Sequence, residues 1–112
     1  MRRGDAELVD DVAGFVATAD RIVALGETAF FDPTDDIPRR AARSVVIDVA
    51  TALGAMSPRT RSQIPDADAI IGMRNRLAHT YQAVNERIVW NVLVRELPRL
   101  LGALRAALPS AE

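Results

Sequence analysis

Apolar residues recur at helical spacing along most of this 112-residue chain. Leu8, Val12, Phe15, Val16, Ala19 and Val23 repeat in steps of three and four, with Asp10, Asp11, Asp20 and Arg21 between them. That spacing predicts a helix from Asp5 to about Thr28. Asp5 is placed to cap its start, and Glu7, Asp10 and Asp11 suit the positive end of the helix dipole. Gly26 weakens the last turn. Phe31-Asp32-Pro33-Thr34-Asp35-Asp36-Ile37-Pro38 then reads as a connection. A second helix is expected from Pro38 to about Met56, with Asp36 or Ile37 at its cap and proline in its first turn. Its middle, Val45-Val46-Ile47-Asp48-Val49-Ala50, is apolar on more than one face. Alone, that run could be a buried strand. The pattern continues to Leu53 and no strand partner follows, which favours helix. Two apolar faces suggest a core on one side and a partner subunit on the other.

Ser57 to Asp66 reads as a polar connection. A third helix begins near Asp66 or Asp68, and on it Ile70, Met73, Leu77 and Tyr81 form one stripe. Asn85 is a good cap for a fourth helix starting at Glu86. Pro98 should kink or interrupt that helix before it resumes through Leu100, Leu104 and Leu108. The expectation is an all-α bundle of four to five helices, one domain over residues 1–112, with short loose ends at 1–4 and 109–112.

Composition narrows the chemistry. Hydrophobic residues make up 49% and aromatics 4%, which suits aliphatic helix-on-helix packing. There is no cysteine and one histidine, so thiolate sites and histidine-rich metal clusters within one chain are excluded; no metal site and no cofactor are expected. All 14 basic side chains are arginine, yet the formal net charge is -1. Nucleic acid would therefore meet a local basic site, not a global field. No apolar run reaches membrane-spanning length, and Met1-Arg2-Arg3 precedes acidic residues, so a cytoplasmic protein without membrane association is expected.

The single histidine and the single tyrosine lie two residues apart in Gly72-Met73-Arg74-Asn75-Arg76-Leu77-Ala78-His79-Thr80-Tyr81. Histidine can move a proton near neutral pH, and arginine holds phosphate oxygens with a forked pair of hydrogen bonds. Asn75 and His79, four apart, share a face with Gly72. Arg74 lies roughly 140° from His79 at about 3.6 residues per turn. One regular helix cannot aim both at the same phosphate, so either the chain turns near His79 or a second copy supplies the missing half. Gly72 and Ala78 are small enough for close helix approach. Taken singly, His79 and Tyr81 read as a hydrogen-bonded helix-end residue and a packing residue. Arg76, with Arg39, Arg40, Arg43, Arg59 and Arg61, reads as solvated surface. The sharper reading makes these arginines an RNA-binding track, because phosphate contacts position a strand without reading its sequence.

Ile71-Gly72-Met73-Arg74-Asn75-Arg76-Leu77-Ala78-His79-Thr80-Tyr81 resembles the signature of HepT-like HEPN proteins: arginine, a polar residue, three more, then His-x-Tyr. Ile64-Pro65 upstream, Val84-Asn85-Glu86-Arg87-Ile88-Val89-Trp90 downstream and Glu96-Leu97-Pro98-Arg99-Leu100 extend the likeness over most of the chain. The resemblance implies a homodimeric HEPN bundle with the motif at the dimer cleft. It further implies the toxin of a toxin–antitoxin pair, a metal-independent endoribonuclease using Arg74 and His79, with Asn75 orienting the histidine or the phosphate. The partner implied is a minimal nucleotidyltransferase antitoxin of the MntA type that silences the toxin by transferring AMP to Tyr81.

The chain departs from the family's pattern in places. Relatives often carry acids in the second helix where this chain has Val46 and Ala50, leaving Asp48 as its acid there. Gln82-Ala83 replaces an aromatic-glycine pair, and Asn85 a usual aspartate. The alternative function is a non-catalytic HEPN subunit that serves a nucleotidyltransferase.

Overall fold

The computed structural model describes residues 4–79 and 85–108. In chain order the elements are α1 (Asp5–Ala24), α2 (Glu27–Phe30), α3 (Ile37–Gly54), α4 (Pro58–Ser62), α5 (Ala67–His79), α6 (Glu86–Asn91), a π-helical turn (Val92–Glu96) and α7 (Leu97–Ala107). Among the described residues there is no strand. The all-α expectation holds, with a short helix, α4, added where a connection was expected and another, α2, at the end of the expected first helix.

α3 is the centre of the bundle. Ala42, Val46, Val49, Ala50 and Leu53 are fully buried along it, with Val45 and Ala52 nearly so. α1 and α5 both pack on α3, with Leu8, Val12, Val16 and Ala19 of α1 and Ile70 and Leu77 of α5 buried in the shared core; α6 and α2 add smaller contacts. The two apolar faces of α3 are thus both covered by helices of the same chain. The inference from these faces to a partner subunit is corrected accordingly, because α1 and α5 account for both.

Several ends differ from expectation for identifiable reasons. The first helix stops at Ala24 because Gly26 takes φ +93, a left-handed conformation that glycine adopts at little cost, and α2 then starts afresh. Asp5 does not cap α1; Gly4 holds that position and Asp5 lies inside the helix. Its carboxylate instead accepts hydrogen bonds from the Ser57 amide at 2.9 Å, the Ser57 hydroxyl at 2.6 Å and the Thr60 hydroxyl at 2.5 Å. Ser57 in turn caps α4 by accepting from the Thr60 amide at 3.2 Å. One carboxylate thereby ties the start of α1 to the corner between α3 and α4. At α3, Asp36 occupies the cap position without a capping bond, and Asp35 accepts from the Ile37 amide at 3.0 Å instead. Asn85 caps α6 as expected, accepting from the Arg87 amide at 2.9 Å.

The Pro98 interruption takes the form of the π turn. Proline lacks an amide donor and its ring crowds the carbonyl four residues back, so the helix widens over Val92–Glu96 and α7 begins with Pro98 in its first turn. Leu93, Leu97 and Leu104 stay fully buried through this shift, and the π turn and α7 both pack on α1.

Aromatic residues seat the start of α6 on α2. Phe30 meets Phe31 edge-on and Trp90 at a tilt, both with centroids 4.9 Å apart. The Arg87 guanidinium stacks over Phe31 at 4.3 Å and reaches Glu27 at 2.6 Å. The ion pair is half-exposed and contributes little, so the ring contacts supply most of this seat.

Asp5→Ala removes three hydrogen bonds to a carboxylate and leaves the buried Thr60 hydroxyl with the Ser57 hydroxyl alone. It should cost about 2–3 kcal/mol, read as a lower urea midpoint with unchanged slope. A loss below about 0.5 kcal/mol would show that this clamp is not holding the corner.

Candidate active site

α5 carries the candidate chemistry, and its inner stripe decides which side chains face outward. Ile70 and Leu77 are buried against α3, with Met73 and Ile71 half-buried. The core reading of Ile70, Met73 and Leu77 therefore holds. The opposite face leaves Gly72, Asn75, Arg76, Ala78 and His79 exposed. Gly72 has open space where a side chain would start, so nothing within the described fold requires glycine there. Arg74 is half-buried, at the edge of the apolar stripe.

α5 runs as a regular α-helix through His79. Five residues then separate Arg74 from His79 by about 7.5 Å along the axis and roughly 140° around it. The structure brings Asn75 and His79 to one exposed face but does not bring Arg74 to that face within one protomer. α5 ends at His79, as the alternative of a turn near that residue expects, but His79 still belongs to the helix and keeps its helical angle to Arg74. Tyr81, with Thr80, lies outside the described residues.

The arginines expected to track phosphate separate into different environments. Arg39 is half-buried and donates from one terminal nitrogen to the carbonyls of Phe30 at 2.8 Å and Asp32 at 2.7 Å, closing the exposed end of α2. Arg43 pairs with Glu86 across the α3–α6 contact, each side chain about one-fifth exposed. Arg40 is exposed and pairs with Asp36 one turn back at 2.6 Å. That hydrogen bond holds the Asp36 carboxyl below the ordinary carboxylate range, so the pair stays ionised at neutral pH. Arg61 donates to the Gly54 carbonyl at 3.1 Å, while Arg59 and Arg76 are exposed. Sequence reasoning missed the tasks of Arg39 and Glu86, since neither partner is a local neighbour in a helical pattern.

Val46 and Ala50 are fully buried, and Asp48 is exposed. A carboxylate on the inner side of α3 is therefore absent from this chain. Among the described residues, no group of three or more histidines or carboxylates could hold a metal ion.

Comparison with known proteins adds to this geometry. The model of the family described as "Ribonuclease HepT-like" matches residues 18–107. A protein of Caldanaerobacter subterraneus subsp. tengcongensis, provisionally named as an RNase, is 48% identical over 31 residues. That match takes in 28% of this chain and 28% of the relative, so the chain spans under a third of its length there. No solved structure matches significantly.

Arg39→Ala should cost about 2 kcal/mol in urea unfolding, because two carbonyls lose a charged donor. Arg40→Ala should stay within about 0.5 kcal/mol, as exposed ion pairs contribute little. Equal losses would contradict the division of these neighbours into structural and surface roles.

Proposed function

The chain belongs to the HepT-like ribonuclease family, and from that premise we propose that it is the toxin of a toxin–antitoxin pair, an endoribonuclease acting at a cleft between two copies of itself. The observation that carries this reading is the intact Arg74 and His79 pair on α5, with His79 exposed beside Asn75 in a chain matched by the family over most of its length.

The residues divide the work of a phosphodiester transfer that needs no metal. The ribose 2′-oxygen attacks the adjacent phosphorus, the bond to the 5′-oxygen breaks, and a cyclic phosphate and a free 5′-hydroxyl result. His79 takes the 2′-hydroxyl proton as general base, or supplies one to the departing oxygen as general acid. Arg74 stabilises the charge that builds on the phosphate oxygens. Asn75, one turn before His79 on the same face, orients the imidazole or the phosphate through its amide. The chemistry selects RNA, because DNA lacks the attacking hydroxyl.

A homodimer resolves the angular separation on α5: Arg74 of one copy meets His79 of the other. The exposed small residues Gly72 and Ala78 support close approach of two α5 helices. Arg76, on the same outer side, would contact the phosphate backbone. The antitoxin is a minimal nucleotidyltransferase of the MntA type, and AMP on Tyr81 would silence the enzyme by adding bulk and negative charge where a phosphate must sit. No described helix is long and apolar enough to cross a membrane, which is compatible with a cytoplasmic site of action.

One observation favours a second reading. The buried Val46 and Ala50 leave the inner side of α3 without the acids that relatives often carry, as a non-catalytic partner of a nucleotidyltransferase would tolerate.

RNA cleavage in EDTA separates the two. The parent should cut RNA, and His79→Ala and Arg74→Ala should each lower kcat/KM by about 100-fold or more with an unchanged thermal midpoint. Mixing the two inactive variants should restore about a quarter of parent activity, because half of the dimers formed at random carry one complete site. Cleavage that survives both substitutions would overturn the assignment of Arg74 and His79. An inactive parent, shown by mass analysis to carry no AMP, would leave the non-catalytic reading. Tyr81→Phe should escape silencing by the nucleotidyltransferase and ATP.

A further inference from the structure

A groove of about 280 Å³ opens between α3 and α5, lined by Arg40, Arg43, Ser44, Ile47 and Leu77. The four α3 residues follow one another at steps of three, one and three, the spacing that puts side chains along one helix face. Leu77 closes the groove from α5. Two guanidiniums and a hydroxyl thus stand on one wall beside an apolar floor made by Ile47 and Leu77.

The place of this groove on α5 matters. Arg74 is three residues before Leu77, so the two are neighbours on the helix surface, about 60° apart. His79 of the same copy is about 160° from Leu77 and faces away. The groove therefore lies on the arginine side of the candidate site. Its size is just under the range of about 300–1,000 Å³ typical of whole-ligand pockets, which suits part of a strand better than a complete free ligand.

We propose that this groove is a subsite for one nucleotide of the RNA strand next to the bond being cut, with a flanking phosphate on Arg40, Arg43 and Ser44 and the sugar or base against Ile47 and Leu77. The proposal rests on the ribonuclease reading and adds where the strand runs. Guanidinium forks match phosphate oxygens, and each group carries five N–H donors, so one oriented by a carboxylate can still meet a phosphate. The Arg43–Glu86 pair fixes Arg43 at the groove, while Arg40 supplies an exposed cation at its mouth. Arg39 is outside the subsite, since it does not line the groove and its terminal nitrogen serves two backbone carbonyls. These are positioning residues, remote from the reacting atoms.

The test uses the full chain with Arg40→Ala and Ser44→Glu, two exposed positions whose substitution should leave the thermal midpoint unchanged. Binding of a fluorescent single-stranded RNA is measured in a His79→Ala background, which prevents cleavage. Each substitution should weaken binding by about tenfold, and Arg40→Ala should reduce the logarithmic salt slope by about 0.7, the loss of one phosphate contact to a single strand. With His79 intact, KM should rise about tenfold while kcat changes less than about twofold. A parent that cuts RNA, together with variants whose binding, salt slope and KM match it, would overturn the subsite and leave the ribonuclease reading standing. A parent that neither binds nor cuts RNA would overturn both.

Discussion

Burial of α3 on two sides is the constraint on which the rest of the molecule depends. A helix with one apolar stripe needs one neighbour; this one has two stripes, and each must be removed from water. α1 covers one and α5 the other, through side chains each contributing about 1.5–3 kcal/mol when fully buried. Because α5 reaches the bundle chiefly through α3, its inner stripe and its outer face are set by the same contact. Ile70 and Leu77 turn inward, and Asn75 and His79 are left outward as the geometrical remainder.

That arrangement has a chemical consequence. A helix that must present Leu77 to α3 cannot also swing Arg74 and His79 onto one side, because its repeat holds them roughly 140° apart. The proposed action of Arg74 and His79 on one phosphate therefore requires two helices, which is the reason for proposing a cleft shared between two copies. The same contact creates the groove beside Arg74, since α3 meets α5 at a place where its outward face carries Arg40, Arg43 and Ser44. Core packing and the candidate path of the strand have a common origin.

Around this centre, small polar fixtures hold the corners. Asp5 gathers the start of α4, Arg39 closes α2, and Arg43 with Glu86 joins α3 to α6. Each is a charged side chain that meets a partner outside its own helix. Charges taken partly out of water need such partners, and so these residues serve the fold before they serve any ligand. Three of the six arginines read as an RNA-binding track from the sequence, Arg39, Arg43 and Arg61, prove to have such tasks, and Arg40, Arg59 and Arg76 are the exposed members.

The amino-acid sequence by itself determined the helical class, the position of α5, the inward stripe Ile70–Met73–Leu77, the Asn85 cap and the incompatibility of Arg74 with His79 on one helix. All of these are local: they follow from a repeat of about 3.6 residues and from short-range capping chemistry. The motif and its surroundings also carried the family likeness that the match over residues 18–107 bears out. Only the tertiary structure decided what covers the second face of α3, which carboxylate a given arginine meets, and where α3 and α5 leave a groove. Periodicity states that a face must be buried but not against what; a long charged side chain finds its partner only once the core has placed the backbone around it.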